Sequence, residues 1–347
     1  MLKNWGLEFH RFENIETGGY CEIGEGPALL FRSDIDALPI EEDRSHTIIS
    51  ENKDVMHACG HDYHTAIGLG LCRYFQQNRD KLKGQLRVIF QPAEEAAPGG
   101  AEFVIEENIW QNAKNIVGVH VDNEYPAGQI ILPKKTASAS STSMKIVLQG
   151  PGGHTSRPDE TVDLVHVCGQ YVTHLKSHLL NSTDPRTPLS FAFGQIQGGH
   201  THNSIPQKIL LQGTLRTHSN QMEQESRQII KSFTKNFANL NNIKIMLEFP
   251  TNCPAAINDE NMVQIFSDYM QLQLENQNSS LVYLDTASMG ADDFAVYLRK
   301  IPGLYLRVGA GGRGEAHTGN FLLEEDLLKP AMHYLSGFIQ YYFNSIK

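Results

Sequence analysis

Three short apolar runs set the frame for this chain. Residues 28–34 (ALLFRSD) and 85–91 (QLRVIFQ) carry β-branched or aromatic residues and each ends at a polar or acidic cluster, and 115–121 (NIVGVHV) resembles them. Helical patterns lie between them, over 62–78 and 100–112. Strand, polar cluster, helix is the pattern of an α/β sheet, in which functional groups collect at strand ends.

The pattern changes near residue 138, at the small, polar stretch ASASSTS. Beyond it the periodicity predicts strand 143–150, helix 160–180, strands 189–197 and 207–217, helix 219–239 and strand 243–249. That β-α-β-β-α-β order matches a ferredoxin-like unit. After a return linker, FPTNCPAAIND, alternation resumes with helix 260–275, a short strand near 281–284, helix 291–299, strand 303–308 and helix 323–344. The expected layout is a discontinuous α/β domain (1–138 and 251–347) with a small ferredoxin-like domain (139–250) inserted.

Composition narrows the function classes. Hydrophobic residues make up 40% and charged residues 20%, as in an ordinary globular protein. A net charge of −10 argues against a nucleic-acid or anionic-membrane binder, which needs clustered Lys and Arg. The five cysteines form no CxxC pair, so a disulfide framework is not expected and a reducing compartment fits. No apolar run near the start reads as a signal peptide, and none elsewhere reaches a membrane span. The expectation is a soluble, cytoplasmic protein.

Fifteen histidines is a high count, and several sit in Gly-, Asp- or Glu-rich turns. In DVMHACGHDYHTA (54–66), Cys59 and His61 flank a glycine just ahead of a predicted helix. A thiolate and an imidazole on one tight turn can converge on a cation, with Asp62 and His64 available to hold them. Alone, a C-x-H pair more often marks a buried structural cysteine beside surface histidines. FQPAEE (90–95) places Glu94 and Glu95 just after a predicted strand; one carboxylate can bind metal while the other moves a proton. Most EE pairs are solvated acidic loops. His120 lies in or at the end of an apolar strand, and His317 in a Gly-rich loop after LYLRVGA. The weight comes from company: each position is at a strand end of the same inferred domain.

The inserted segment contributes a second set. GPGGHTSRP puts His154 on a Gly-rich turn, GGHTHNSIPQ puts His202 and Asn203 between two strands, and GTLRTH puts Arg216 at a strand end. His, Asn and Arg on one edge suit an anionic substrate and an oxyanion. The bland alternative is ordinary turn chemistry, which also favours Gly, Pro and Asn.

RSDIDALPIEE, MHACGHDYHTA, QPAEEAAPGGA, GPGGHTSRP, HNSIPQ, GTLRTH and AHTGNF, in that order, resemble the M20 metallopeptidase superfamily. Within it they resemble the amidohydrolase branch of hippurate, N-acyl-amino-acid and auxin-conjugate hydrolases. The resemblance implies a zinc-peptidase-like catalytic domain with an inserted lid that often serves dimerisation. It implies Cys59, His61, Glu95, His120 and His317 as ligands of two divalent cations (Zn²⁺ or Mn²⁺, with Co²⁺ and Ni²⁺ open). It implies Glu94 as general base, Asp36 as a nearby acidic group, His154 as the lid histidine, and Asn203 and Arg216, with His202 beside them, at the substrate. The implied partner is a small N-acyl amino acid, with a homodimer formed through the lid. The sequence departs from the family at Asp122-Asn123, Asp292 and Gly319, and begins at about the element after the helix that usually opens members. A dipeptidase or carboxypeptidase of the same fold, or a catalytically impaired metal- or ligand-binding relative, is the rival expectation.

Overall fold

The computed structural model describes residues 1–274 and 281–345. The chain begins with β1 (His10–Arg11), β2 (Gly19–Gly24), β3 (Ala28–Asp34), α1 (His61–Gln77), β4 (Gln85–Gln91), α2 (Ala101–Val104), β5 (Ala113–Asp122), β6 (Ile130–Pro133) and β7 (Thr136–Ser138). It continues through β8 (Ser140–Gln149), β9 (Gly153–His154), α3 (Leu164–Asn181), β10 (Leu189–Gly198), β11 (Ser204–Ile205), β12 (Lys208–Thr217), α4 (Asn220–Leu240), β13 (Lys244–Glu248) and β14 (Asn252–Cys253). It closes with β15 (Ala256–Ile257), α5 (Glu260–Leu274), β16 (Leu281–Leu284), α6 (Phe294–Tyr297), β17 (Gly303–Gly309) and α7 (Leu328–Ser345). These elements fall into two compact units: 1–137 with 256–286 and 293–347, and 138–255 with 287–292.

The first unit is built on a mixed sheet in the order β1-β2-β4-β3-β5-β17-β6-β16. Its centre is parallel: β4, β3, β5 and β17 run the same way. All seven residues of β3 are buried, as expected of a parallel strand covered on both faces. Because these strands are parallel, their carboxyl ends share one sheet edge, where α/β sheets bind ligands. Asp34, Gln91, Asp122 and Gly309 end the four strands, and the candidate residues follow them or lie just inside.

Helix α1 covers this sheet. Its buried residues, among them His61, His64, Ile67, Leu71, Cys72 and Phe75, recur at three- and four-residue spacing and mark one face. The approach is close at Gly68, where an added Cβ would meet the Ser33 side chain at 3.0 Å. Asp62 in the first turn complements the helix dipole.

The helix expected over 100–112 is shorter. Beyond α2 the Glu107 carboxylate accepts the amides of Glu13 and Asn14 at 2.9 and 2.7 Å, and Asn112 turns left-handed (φ 58°) ahead of β5. The backbone also tightens after Ile105, where the Glu106 and Glu107 amides donate three residues back to Phe103 O and Val104 O at 3.2 and 3.1 Å, as at many helix ends. The helix expected over 291–299 is likewise reduced to α6, and the last position of the one expected over 260–275 lies outside the described residues.

The second unit is an antiparallel sheet in the order β10-β12-β8-β13, with β14 also on β8. Along the chain its main elements run β8, α3, β10, β12, α4, β13. Strand β8 alternates buried and half-buried residues over most of its length, the pattern of a sheet with one covered face. Ile146, Leu148, Leu211 and Leu215 from the strands pack with Leu175, Tyr171, Ile230 and Phe237 from the helices. Asp163 and Ser219 cap α3 and α4 through their side chains. Tyr171 and Thr234 join the two helices by a buried hydroxyl contact of 2.7 Å.

Candidate metal centre

Cys59 and His61 stand on the turn that opens α1. Gly60 makes that turn possible with φ 82°, and a Cβ there would fall 2.4 Å from the Val121 side chain. Behind the turn lies β5, and Cys59 Sγ is 3.5 Å from His120 Nε2. Cys59, His61 and His120 each offer a donor atom within 4.8 Å of the others. The same 4.8 Å limit groups Cys59 with Glu95 and His317, and His61 with Glu94 and Glu95. His317 comes from the Gly-rich loop after β17, where its amide donates to Ala58 O at 2.8 Å. All six side chains that the sequence assigned to metal or base in the first unit are therefore brought together.

Asp36 organises them. Its Oδ1 is 3.1 Å from His61 Nδ1, and its Oδ2 accepts the Glu95 amide at 3.0 Å. A proton on His61 Nδ1 leaves Nε2 with the lone pair a cation would take. That Nε2 is buried and has no hydrogen-bond partner. Glu95 Oε1 is in the same condition; it lies 2.9 Å from His317 Nε2, but without hydrogen-bond geometry.

The electrostatics show an excess of negative charge, which holds protons on ligand atoms that a bound cation would displace. Burial pushes the Cys59 thiol up, and the Glu95 and Glu94 carboxylates push it further. Burial would lower His61, but the Asp34 charge and the Asp36 hydrogen bond raise it to about 9. Burial would raise Asp34, yet Arg32, His64 and His61 hold its carboxyl well below the usual range. A thiol, imidazoles and carboxylates crowded on one spot, two of them with buried atoms that make no hydrogen bond, fit borderline divalent cations. A cavity of about 530 Å³ adjoins the cluster, with Asp36, Glu95, Ile35, Leu38, Pro92 and Ala93 in its wall.

His64 touches the Asp34 carboxylate through Nδ1 and the Val121 amide through Nε2, whereas Asp62, expected beside it, is exposed. Arg32, Gln91 and Asp293, which the sequence did not single out, make a buried cluster behind the ligands. One signal was present: an arginine inside the apolar run ALLFRSD has to be satisfied by something buried. Asp293, 261 positions from Arg32, had none.

In the second unit, His154 and Asn203 are neighbours. Strand β9 pairs with β11, placing His154 opposite Ser204, and the Thr155 amide donates to Asn203 O at 3.3 Å. His154, His202 and Asn203 are exposed, and His154 Nδ1 is 2.7 Å from Ser156 Oγ. Arg216 is not with them. It sits at the other end of β12, opposite Ser190 and Ser141, and donates to Met289 O at 2.8 Å. Eight residues separate it from Lys208, roughly 26 Å of strand at about 3.3 Å per residue. The single edge expected for His, Asn and Arg is thus two ends of one strand. The strand expected over 207–217 starts just after Asn203 and finishes just after Arg216, so the separation was already implicit in the sequence.

Comparison with known proteins shows the family. An N-acetyl-L-cysteine deacetylase of Bacillus subtilis (strain 168) is 31% identical over 338 residues, covering 96% of this chain and 79% of the relative. An N-acetyldiaminopimelate deacetylase of the same organism is 31% identical over 350 residues, covering 99% and 91%. A crystal structure of a dinuclear metal binding peptidase from the M20 family, also of Bacillus subtilis, superposes with a TM-score of 0.85 at 29% identity, covering 99% of this chain and 90% of that one. Among the described residues no helix is long and apolar enough to cross a membrane. Peptidase family M20/M25/M40 matches residues 30–341, and the chain belongs to that family of metal-dependent amidohydrolases.

Proposed function

We propose that this protein hydrolyses the amide bond of N-acyl amino acids, with Cys59, His61, Glu95, His120 and His317 as the holders of two divalent cations. The observation that carries the reading is the convergence of those five side chains and Glu94 in overlapping groups within 4.8 Å. When bound, such cations supply Lewis acidity and bring the pKa of water towards neutrality. Glu94 takes the proton of the attacking water and returns it to the leaving amine nitrogen. Attack of the water on the acyl carbon moves charge to the carbonyl oxygen, to which His154 donates, and Asn203 and His202 contact the substrate beside it. Arg216 offers a fork to the amino-acid carboxylate. Relatives named as N-acetyl-amino-acid deacetylases make acetyl the first acyl group to try.

The separation within the second unit supports a dimer. His154 and Asn203 lie on turns that adjoin the Lys208 end of β12 and Arg216 lies at its far end, an arrangement poorly suited to one small substrate touching both in the same unit. Two copies joined through the inserted domain would let one copy supply His154 and Asn203 and the other supply Arg216. Strand β10, at the edge of that sheet and largely exposed, with Ile196 at 66%, is the surface such a pairing would use.

The test is a panel of N-acyl amino acids and dipeptides on protein reconstituted with Zn²⁺, Mn²⁺, Co²⁺ or Ni²⁺. Preferential turnover of N-acetyl substrates supports the reading. Preferential turnover of free dipeptides moves it to the peptidase side of the family, and no turnover with any cation overturns it. Cys59→Ala should lose at least one cation by elemental analysis; full occupancy would remove Cys59 from the ligand set.

A further inference from the structure

Behind the candidate ligands the buried polar groups form one connected network centred on Arg32. This side chain is fully buried on β3. Its Nη1 donates to Asp34 Oδ2 at 2.6 Å, its Nη2 to Asp293 Oδ1 at 2.8 Å and its Nε to Gln91 Oε1 at 2.9 Å. Each carboxylate leads to a different part of the site.

The first arm runs to a ligand. Asp34 Oδ1 makes a short hydrogen bond with His64 Nδ1, and His64 Nε2 is 2.9 Å from the Val121 amide. An amide N–H can only donate, so Nε2 accepts and the His64 proton sits on Nδ1, facing Asp34. Val121 follows His120, so this bond fixes the backbone that carries the ligand. The second arm runs to the base. Asp293 also accepts Gln91 Nε2 at 2.8 Å and the Ala101 amide at 2.9 Å, and its own amide donates to Glu94 Oε1 at 3.4 Å.

Stability alone is a weak reason to bury such a cluster. Ion pairs taken out of water roughly break even against apolar packing of the same volume. The fork geometry of a guanidinium, by contrast, holds two carboxylates at a set separation. We infer that Arg32 is a positioning residue that keeps two halves of the site in register, His120 through Asp34, His64 and the Val121 amide, and Glu94 through Asp293. The inference rests on the proposed ligand and base roles.

The experiment cuts the arms separately and reads Co²⁺ binding as well as turnover. Cobalt bound to a Cys59 thiolate gives a charge-transfer absorption, so affinity is measured by chelator competition without substrate. His64→Phe should weaken Co²⁺ binding about tenfold or more, the usual effect of removing a group that orients a ligand, with kcat recovering at saturating cation. His64→Gln, which keeps an acceptor for the Val121 amide, should regain part of that affinity and serves if the Phe variant does not fold. Asp293→Asn should leave Co²⁺ affinity within about twofold and KM unchanged while kcat falls about tenfold. Arg32→Lys should show both defects. Circular dichroism and Tm of the cation-free proteins establish folding. Variants that lower Tm and change neither Co²⁺ affinity nor kcat would overturn the inference, as would two arms that move both readouts alike. Wild-type protein that binds no Co²⁺ would instead sink the ligand reading, and the inference with it.

Discussion

In the first unit, Arg32, Asp34 and His64 are fully buried at the centre of the sheet, and every polar atom there leans on another. In the second, the core around Leu148, Leu175 and Leu211 is apolar; the Tyr171–Thr234 hydroxyl pair is buried inside it, and the buried Glu223 accepts from Thr142 at 2.8 Å. Its candidate chemistry, His154, His202 and Asn203, is on the surface. The contrast is between a candidate site built into a core and a candidate site carried on one. A parallel sheet covered on both faces has no exposed side on which to spread charges, so they must be paired inside. An antiparallel sheet with one open face can keep a plain core and present its functional groups outside.

The contrast is open to attack at several points. Glu94→Gln should lower kcat about 10³-fold while cation content by elemental analysis stays at the wild-type level. Near-wild-type turnover would remove Glu94 as the base. Leu211→Ala, in the apolar core, should cost about 3 kcal/mol of unfolding free energy in urea and leave cation content untouched. If that variant also loses cation, the two units are not as separate in function as in packing. A mixing experiment then asks whether the surface-borne residues act in pairs of chains. His154→Ala and Arg216→Ala should each be nearly inactive, and co-refolding them in equal amounts should restore about one quarter of wild-type activity, one working site in every mixed dimer. No recovery means that both residues act within one chain or that one of them does not act at all.

Much of the first unit was legible in the sequence because its strands are buried on both faces. ALLFRSD and QLRVIFQ coincide with β3 and β4, since a continuous apolar run bounded by polar residues has few other uses. The candidate ligands were legible for a related reason: Cys59, His61, Glu94 and Glu95 sit in turns right beside such elements. The cluster behind them was not. Arg32 and Gln91 are 59 positions apart and meet only because β3 and β4 are neighbours in the sheet. The second unit yielded its order of elements and, implicitly, the separation of Asn203 from Arg216 at opposite ends of β12; the pairing of β9 with β11, which brings His154 beside Asn203, needed the fold. Helix length failed at 100–112 because the backbone tightens to three-residue bonding at Glu106 and Glu107 and turns left-handed at Asn112, neither of which the apolar periodicity shows.

His317 has a left-handed backbone, with φ 64°. That region disfavours residues with a Cβ by about 1–2 kcal/mol, and glycine enters it freely. A loop that must deliver an imidazole to the cluster thus holds it in a conformation the isolated chain would avoid. The consequence is a trade between thermal stability and ligation at a single position. His317→Gly should leave the cation-free protein as stable or up to about 1 kcal/mol more stable, and should forfeit part of the rise in Tm that cations give the wild type. Selection for stability alone would therefore drift away from histidine here, and its persistence would measure how strongly ligation is required.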